Sequence, residues 1–489
     1  MENPKLKKLS EEWLPEADIE QLQEKMENGE ITSRELVLMY LHRIASIDRH
    51  GPALNSVLEI NPDALQIAEA LDAERRQKGS RGALHGIPVL IKDNIATHDK
   101  MHTSAGSLAL ADSYAKEDSF VAKQLRYAGA VILGKTNMTE WANYMTVGMK
   151  NGYSSRGGQV INPYGSDFDT GGSSSGSGAS IAAGLAALAV GTETSGSILS
   201  PASQHSLVGV KPTVGLISRT GIIPISHTQD TAGPMTKNVK DAAILLSSLS
   251  EIDLEDPVTE SNTELAGVDF TEFLDENGLN GVKVAVARKT YFEYLTEEKK
   301  EILNRALSVL ETQRAVIIDN VEIPTTKAKW TYDVLTYEFK AGLNAYLERF
   351  AGNPEIRSLA DVINFNFANQ KAMLKYGQSL LLAAENTSGT LTEPDYIYAL
   401  ERDQYLSKEN GIDAALANNG ADVLVFPNNY GASIPAKAGY PSVTVPAGYT
   451  EEGEPVGLTF TGKAYSEAQL LKCAYAFEQA TKHRRAPVL

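Results

Sequence analysis

Short continuous apolar runs alternate with amphipathic stretches along most of this chain. The runs Ile87–Ile91 in HGIPVLIKDN, Ala130–Gly134 (AVILG), Val282–Ala287 (VKVAVA), Ala421–Pro427 (ADVLVFP), Ser442–Gly448 (SVTVPAG) and Gly457–Gly462 (GLTFTG) read as strands apolar on both faces. Strands of that kind, separated mainly by helical patterns, predict an α/β fold: a large mixed β-sheet covered by helices on both faces. The segments ADIEQLQEKMENGE and TSRELVLMYLHRIASID, from Ala17 to Asp48, carry helical periodicity, with Thr32 or Ser33 as N-cap and Glu35 in capping reach. PDALQIAEALDAERR reads as a third helix. Residues 297–410 read as nearly all helix, rich in Tyr, Phe, Leu and Ala, and are expected to form a helical insertion or cap that walls a substrate pocket. The longest apolar stretch, Ile181–Val190, reads as a helix with Gly- and Ser-rich loops on either side. It falls short of the roughly 20 residues needed to span a bilayer.

Composition narrows the picture by exclusion. The 489 residues carry 45 Lys and Arg against 62 Asp and Glu, a formal charge of −17, which argues against nucleic-acid and anionic-membrane partners. The hydrophobic fraction of 42% and charged fraction of 22% are those of a chain folded throughout, expected here as a single domain over 1–489 with no internal repeat. The acidic stretch Leu249–Leu265 reads as a solvated linker. One cysteine, Cys473, excludes an intrachain disulfide and a Cys-rich metal site; its helical setting reads as that of a core or semi-buried thiol. No apolar signal segment precedes the first helix, so the expected compartment is the cytoplasm.

The chemistry concentrates in DTGGSSSGSGASIAAGLAALAVGTETSGSILSP, Asp169–Pro201. A Gly-rich loop before a helix can cradle phosphate, but no GxxxxGK[ST] pattern and no complete GxGxxG unit is present. Gly172–Gly176 matches GxSxG around Ser174, yet a nucleophile elbow needs a preceding strand and YGSDFDT is too polar. The histidines that follow, His205, His227 and His483, read as surface or core residues. A serine activated without histidine fits better. Thr194, Ser195, Gly196 and Ser197 are consecutive small residues whose backbone N–H groups can point at one spot, as an oxyanion hole requires. Lys92, at the tip of an apolar strand, is placed either to solvate that strand end or, if desolvated, to act as a base.

At these residues the chain resembles the amidase signature family. GGSSSGSGASIAAGL followed by GTETSGSILSPASQHSLVGVKPTVGLISRTGIIP is similar to that family's Gly/Ser-rich signature, and HGIPVLIKDN to its lysine segment. The resemblance runs from ITSRELVLMYLHRIASID to AGYPSVTVPAGYTEEGEPVGLTFTGKAYSEAQLL, apart from the helical insertion, and implies a catalytic signature core within residues 60–240. It implies Ser197 as acylated nucleophile, Ser173 as the second serine, joined through a cis peptide to Gly172, and Lys92 as base. The backbone N–H groups of Thr194, Ser195, Gly196 and Ser197 would hold the oxyanion. The implied activity is hydrolysis of carboxamides to acid and ammonia with no metal and no cofactor.

The chain departs from the family's GGSIR ending, reading SGSIL, with Ser195 for glycine and Leu199 for arginine. That departure speaks against the alternative of a glutamyl-tRNA amidotransferase A-type subunit; retention of all three triad residues speaks against a silent binding protein. NMTEWANYM, YSSRGGQVINPYG and ISHTQDTAGPM look most similar to the peptide amidase branch, whose substrates are C-terminal peptide amides. Tyr153, Arg156 and Gln229 lie in those segments and are expected either to contact substrate or to support loops. Oligomeric state is not encoded in any of these patterns.

Overall fold

The apolar runs line up in one sheet. The computed structural model describes residues 2–262 and 264–489. In chain order its strands are β1 (Val57–Ile60), β2 (Pro88–Lys92), β3 (Val131–Thr136), β4 (Tyr153–Ser154), β5 (Gly158–Gln159), β6 (Leu188–Glu193), β7 (Val208–Lys211), β8 (Thr231–Thr236), β9 (Lys283–Val286), β10 (Val316–Ile318), β11 (Val423–Pro427), β12 (Ser442–Tyr449) and β13 (Pro455–Thr461). β4 and β5 form a small hairpin, and the other 11 make one mixed sheet in the order β1-β3-β2-β6-β8-β7-β12-β13-β11-β9-β10. β2 lies parallel to both β3 and β6, with Ile91 opposite Val190. The carboxyl ends of β2 and β6 therefore meet at one edge, the position at which open α/β sheets present their sites. Every residue of β2, β3 and β6 is buried, as strands covered on both faces must be.

The N-terminal helices form where the pattern places them. Thr32 caps the Ser33–Arg43 helix through a capping box with Glu35. The Ala64–Lys78 helix follows. Cys473 is buried in the Glu467–Thr481 helix, and burial pushes its thiol up to about 11.

Three expectations need correction. The apolar stretch Ile181–Val190 is not one helix: a Ser175–Ala182 helix ends, the chain reverses, and β6 begins at Leu188. Gly184 sits in the reversal at φ +65°, where a Cβ would lie 2.7 Å from Cα of Pro15. A continuous helix over that span would have carried the two Gly/Ser loops about 15 Å apart at 1.5 Å per residue. The reversal brings them together, and Ser174 N–H donates to the Ser197 carbonyl at 3.1 Å.

The helical insertion is shorter than 297–410. The Glu297–Thr312 helix buries Ile302, Leu303 and Leu307 in the main core, and β10 belongs to the sheet. The cap proper comprises helices Asp333–Arg349, Leu359–Ala368, Ser379–Glu385 and Pro394–Ser407. These share a second core with Met138, Trp141, Ile223 and Ile225. The acidic stretch is likewise no mere linker. Asp253 accepts from the buried Ser218 hydroxyl at 2.6 Å, and Asp256 pairs with Arg219 at 2.5 Å, so both carboxylates fasten the chain beside the site.

Candidate active site

Lys92 ends β2 with a side chain that reaches no solvent. Its Nζ lies 2.7 Å from Ser173 Oγ and 3.1 Å from the Thr192 carbonyl oxygen, with no carboxylate in contact among the described residues. Burial lowers the Lys92 ammonium from about 10.5 to about 7, against the opposing pull of the Glu193 and Asp230 carboxylates. Ser173 is wholly buried, and its peptide bond with Gly172 is cis. A charged Lys92 donates to Ser173 Oγ across this contact; a neutral one can accept the Ser173 hydroxyl proton across the same 2.7 Å.

The Ser173 loop is held on all sides. Its carbonyl accepts from Thr139 N–H at 3.0 Å, and Ser175 Oγ donates to the Gly171 carbonyl at 2.5 Å. Gly172 has no room for a side chain: a Cβ there would meet Asn151 Oδ1 and Thr139 Oγ1, each at 2.7 Å. Ser174, the centre of the GxSxG match, is buried; it donates to the Thr192 carbonyl at 3.0 Å and accepts Thr192 N–H at 3.2 Å. It ties the helix start to β6 rather than facing a substrate. His205 is buried as well, with Nδ1 2.7 Å from the Pro201 carbonyl, and burial drives it down to about 4.

Ser197 follows β6 in the loop Thr194–Ile198 and is 7% exposed, while neighbouring Ser195 is open to solvent. Glu193 organises this loop, and sequence reasoning missed it. Its buried carboxylate accepts Gly196 N–H at 2.6 Å, Ile198 N–H at 2.7 Å and Leu199 N–H at 3.0 Å. Gly196 N–H is thereby occupied, which removes it from the expected set of four oxyanion donors. The N–H groups of Thr194, Ser195 and Ser197 have no protein acceptor among the described residues. An acid just before a run of small residues was the available signal.

Of the other candidates, Gln229 is buried beside the loop, its Nε2 3.4 Å from the Thr194 carbonyl. Tyr153 packs edge-on against Tyr376 of the cap, with Lys375 Nζ 4.4 Å from its ring centre. Arg156 points into an ion network instead: 2.7 Å to Glu59, 3.6 Å to Asp93 and 3.1 Å to Ser104 Oγ. Asp93 in turn accepts Gly106 N–H at 2.9 Å, which fixes the turn beyond Lys92. Replacing this arginine should therefore act through stability. Arg156→Gln is expected to lower the unfolding free energy by about 2 to 3 kcal/mol, read by urea denaturation, with KM changed less than about threefold.

A cavity of about 360 Å³ opens beside Thr192, whose carbonyl Lys92 contacts, and is lined by Asn94, Thr192, Glu193, Thr194 and Asp230. Ile222, Ile223, Ile225, Tyr346 and Phe350 give it apolar walls, and the Arg219–Asp256 and Arg349–Glu255 pairs stand at it. Among the described residues no helix is long and apolar enough to cross a membrane.

Residues 35–471 match the Amidase family model. The chain belongs to the amidase family. A probable amidase of Arabidopsis thaliana is 41% identical over 485 residues, covering 97% of this chain and 92% of that protein. The X-ray structure of native peptide amidase from Stenotrophomonas maltophilia superposes with a TM-score of 0.91 at 45% identity, covering 97% of this chain and 98% of that one. The A-type subunit of the glutamyl-tRNA(Gln) amidotransferase of Rhizobium etli is more distant, 32% identical over 489 residues, covering 94% of this chain and 96% of that protein. With these relatives the amidase is a hydrolase, and its sheet and helices are those of the amidase signature fold.

Proposed function

We propose that this amidase cleaves carboxamides, C-terminal peptide amides or small primary amides, to acid and ammonia through Ser197, Ser173 and Lys92. The observation that carries this reading is the 2.7 Å contact between a fully buried lysine and Ser173 Oγ. An unperturbed lysine is neutral in roughly one molecule in 2,500 at pH 7. With Lys92 near 7, about half the molecules hold a neutral amine.

Neutral Lys92 takes the Ser173 proton while Ser173 takes that of Ser197, whose oxygen attacks the amide carbon. The N–H groups of Thr194, Ser195 and Ser197 receive the carbonyl oxygen as it gains charge. The relay then runs backwards: Ser173 passes its proton to the departing nitrogen, the C–N bond breaks, and ammonia leaves an acyl-Ser197 ester. Water, deprotonated along the same path, releases the acid. No step calls for a metal or cofactor. The peptide-amide preference rests on the likeness to peptide amidase, and the cytoplasm is the proposed compartment.

Ammonia release from peptide amides, short aliphatic amides and aryl amides tests the substrate class, with peptide amides expected to be turned over fastest. A fluorophosphonate should leave one covalent adduct, and tryptic mass spectrometry should find it on Ser197. A labelled protein with an unmodified Ser197 would rule that residue out as nucleophile.

A further inference from the structure

The loop that carries Ser197 is bound to the helical cap through two carboxylates that the relay does not use. Thr194 Oγ1 donates to Asp230 Oδ1 at 2.5 Å. The other Asp230 oxygen accepts Ile225 N–H at 2.8 Å and Ser226 N–H at 2.9 Å, and Asp230 N–H returns to the Ser226 carbonyl at 2.8 Å. The turn Ile225–Asp230 is thus closed around that carboxylate. On its far side Glu338, on the Asp333–Arg349 helix and 1% exposed, accepts from the Ser226 hydroxyl. The same Glu338 oxygen accepts Thr228 N–H at 3.2 Å and Thr228 Oγ1 at 3.0 Å, and its second oxygen accepts Tyr396 OH at 2.9 Å. His227 Nδ1 stands 3.5 Å away.

We propose that Asp230 is a positioning residue for the oxyanion site and that Glu338 extends its hold into the cap, so that packing of the cap sets the aim of the Thr194 N–H. This rests on the reading of Ser197 as nucleophile and adds the reason for the cap's place in the enzyme. Thr194 is the first residue after β6; its backbone N–H is unpaired while its side chain is pinned, so the Asp230 bond fixes the peptide plane that presents the donor. Glu193 anchors the loop from below, and Asp230 anchors it from the cavity side. The cap bears on the loop only through the Ile225–Asp230 turn in this set of bonds. A donor displaced by a few tenths of an ångström loses much of its effect on a developing oxyanion while scarcely altering ground-state binding.

The test is a double-mutant cycle on ammonia release from a primary peptide amide, with unfolding temperatures measured alongside. Thr194→Val and Asp230→Asn are each expected to lower kcat about 10- to 100-fold with KM within about threefold. The double variant should fall no further than about threefold below the worse single one. Thr194→Ser, which restores the hydroxyl, should return close to the original rate. Glu338→Gln should lower kcat in the same direction by a smaller factor. Losses that multiply in the double variant, a loss confined to KM, or a Thr194→Ser protein as slow as Thr194→Val would overturn the proposal. Should Asp230→Asn fail to fold, the Thr194→Ser and Thr194→Val comparison decides on its own. Ser197→Ala separates the two levels: full turnover in that variant overturns the nucleophile reading, whereas an inactive Ser197→Ala protein beside multiplying losses overturns only the role of Asp230.

Discussion

Lys92→Met is expected to abolish turnover and at the same time stabilise the protein at neutral pH. The first effect follows from removing the proposed base: general-base steps contribute about 10²- to 10⁴-fold, and Lys92 Nζ is the group in contact with Ser173 Oγ. The second follows from where the lysine is buried. In the folded chain Lys92 titrates near 7, whereas the unfolded chain keeps it near 10.5, so between those values the unfolded state binds more protons. Stability therefore rises with pH across this window, and below it the folded state bears the full cost of burying an ammonium, of order 5 kcal/mol. Methionine of similar length removes that cost, less about 1 kcal/mol for each hydrogen bond lost to Ser173 and Thr192. Urea denaturation from pH 6 to pH 10 should show Lys92→Met ahead at the acid end and about 1 kcal/mol behind the parent near pH 10, where only the lost hydrogen bonds remain. The parent's kcat should climb through about pH 7 to a plateau as the amine loses its proton. Curves that run parallel across the whole range would mean that Lys92 is not the desolvated base.

The sequence announces this lysine clearly and announces its surroundings poorly. β2, β3, β9, β11, β12 and β13 are legible because each is a continuous apolar run between breakers. β6 is hidden, since LAALAV continues the apolar composition of the preceding helix and only Gly184 marks the reversal. β7 and β8 are hidden for a different cause: VGVK and TAGPMT carry glycine, proline and threonine, residues that a pattern search assigns to loops. Their burial comes from neighbours in the sheet rather than from their own composition.

The same division holds in the site. Lys92, Ser173 and Ser197 are singled out by their motifs; Lys92 touches Ser173, and Ser174 N–H holds the Ser197 carbonyl. Arg156 is misleading because an arginine near a candidate pocket invites a substrate role, while its partners Glu59 and Asp93 lie 97 and 63 positions away in the chain. Glu338 is further still from the segments it holds, on a cap helix with no motif of its own. Long-range acceptors of backbone N–H groups leave no periodicity to read.

Glu193→Gln is expected to cost both stability and rate, more than any other change outside Lys92, Ser173 and Ser197. The carboxylate accepts three backbone N–H groups with its two oxygens at the turn from β6 into the Leu199–Gln204 helix. An amide offers one oxygen and one NH2, so at least one of those N–H groups must face another donor in a place that water does not reach. Charge-assisted bonds contribute about 1.5 to 3 kcal/mol each and an unsatisfied buried donor costs about 1 to 3, so a loss of about 3 to 5 kcal/mol is expected by denaturation. Release of the loop misdirects the Thr194, Ser195 and Ser197 donors, for which a fall in kcat of about 10² to 10³ is expected. The pH profile supplies an independent check. Glu193 favours the charged form of Lys92, so its neutralisation leaves desolvation less opposed and lowers that titration further. The residual activity should therefore rise with a midpoint below about pH 7, and a midpoint moved upward would show that the two groups do not share one electrostatic environment.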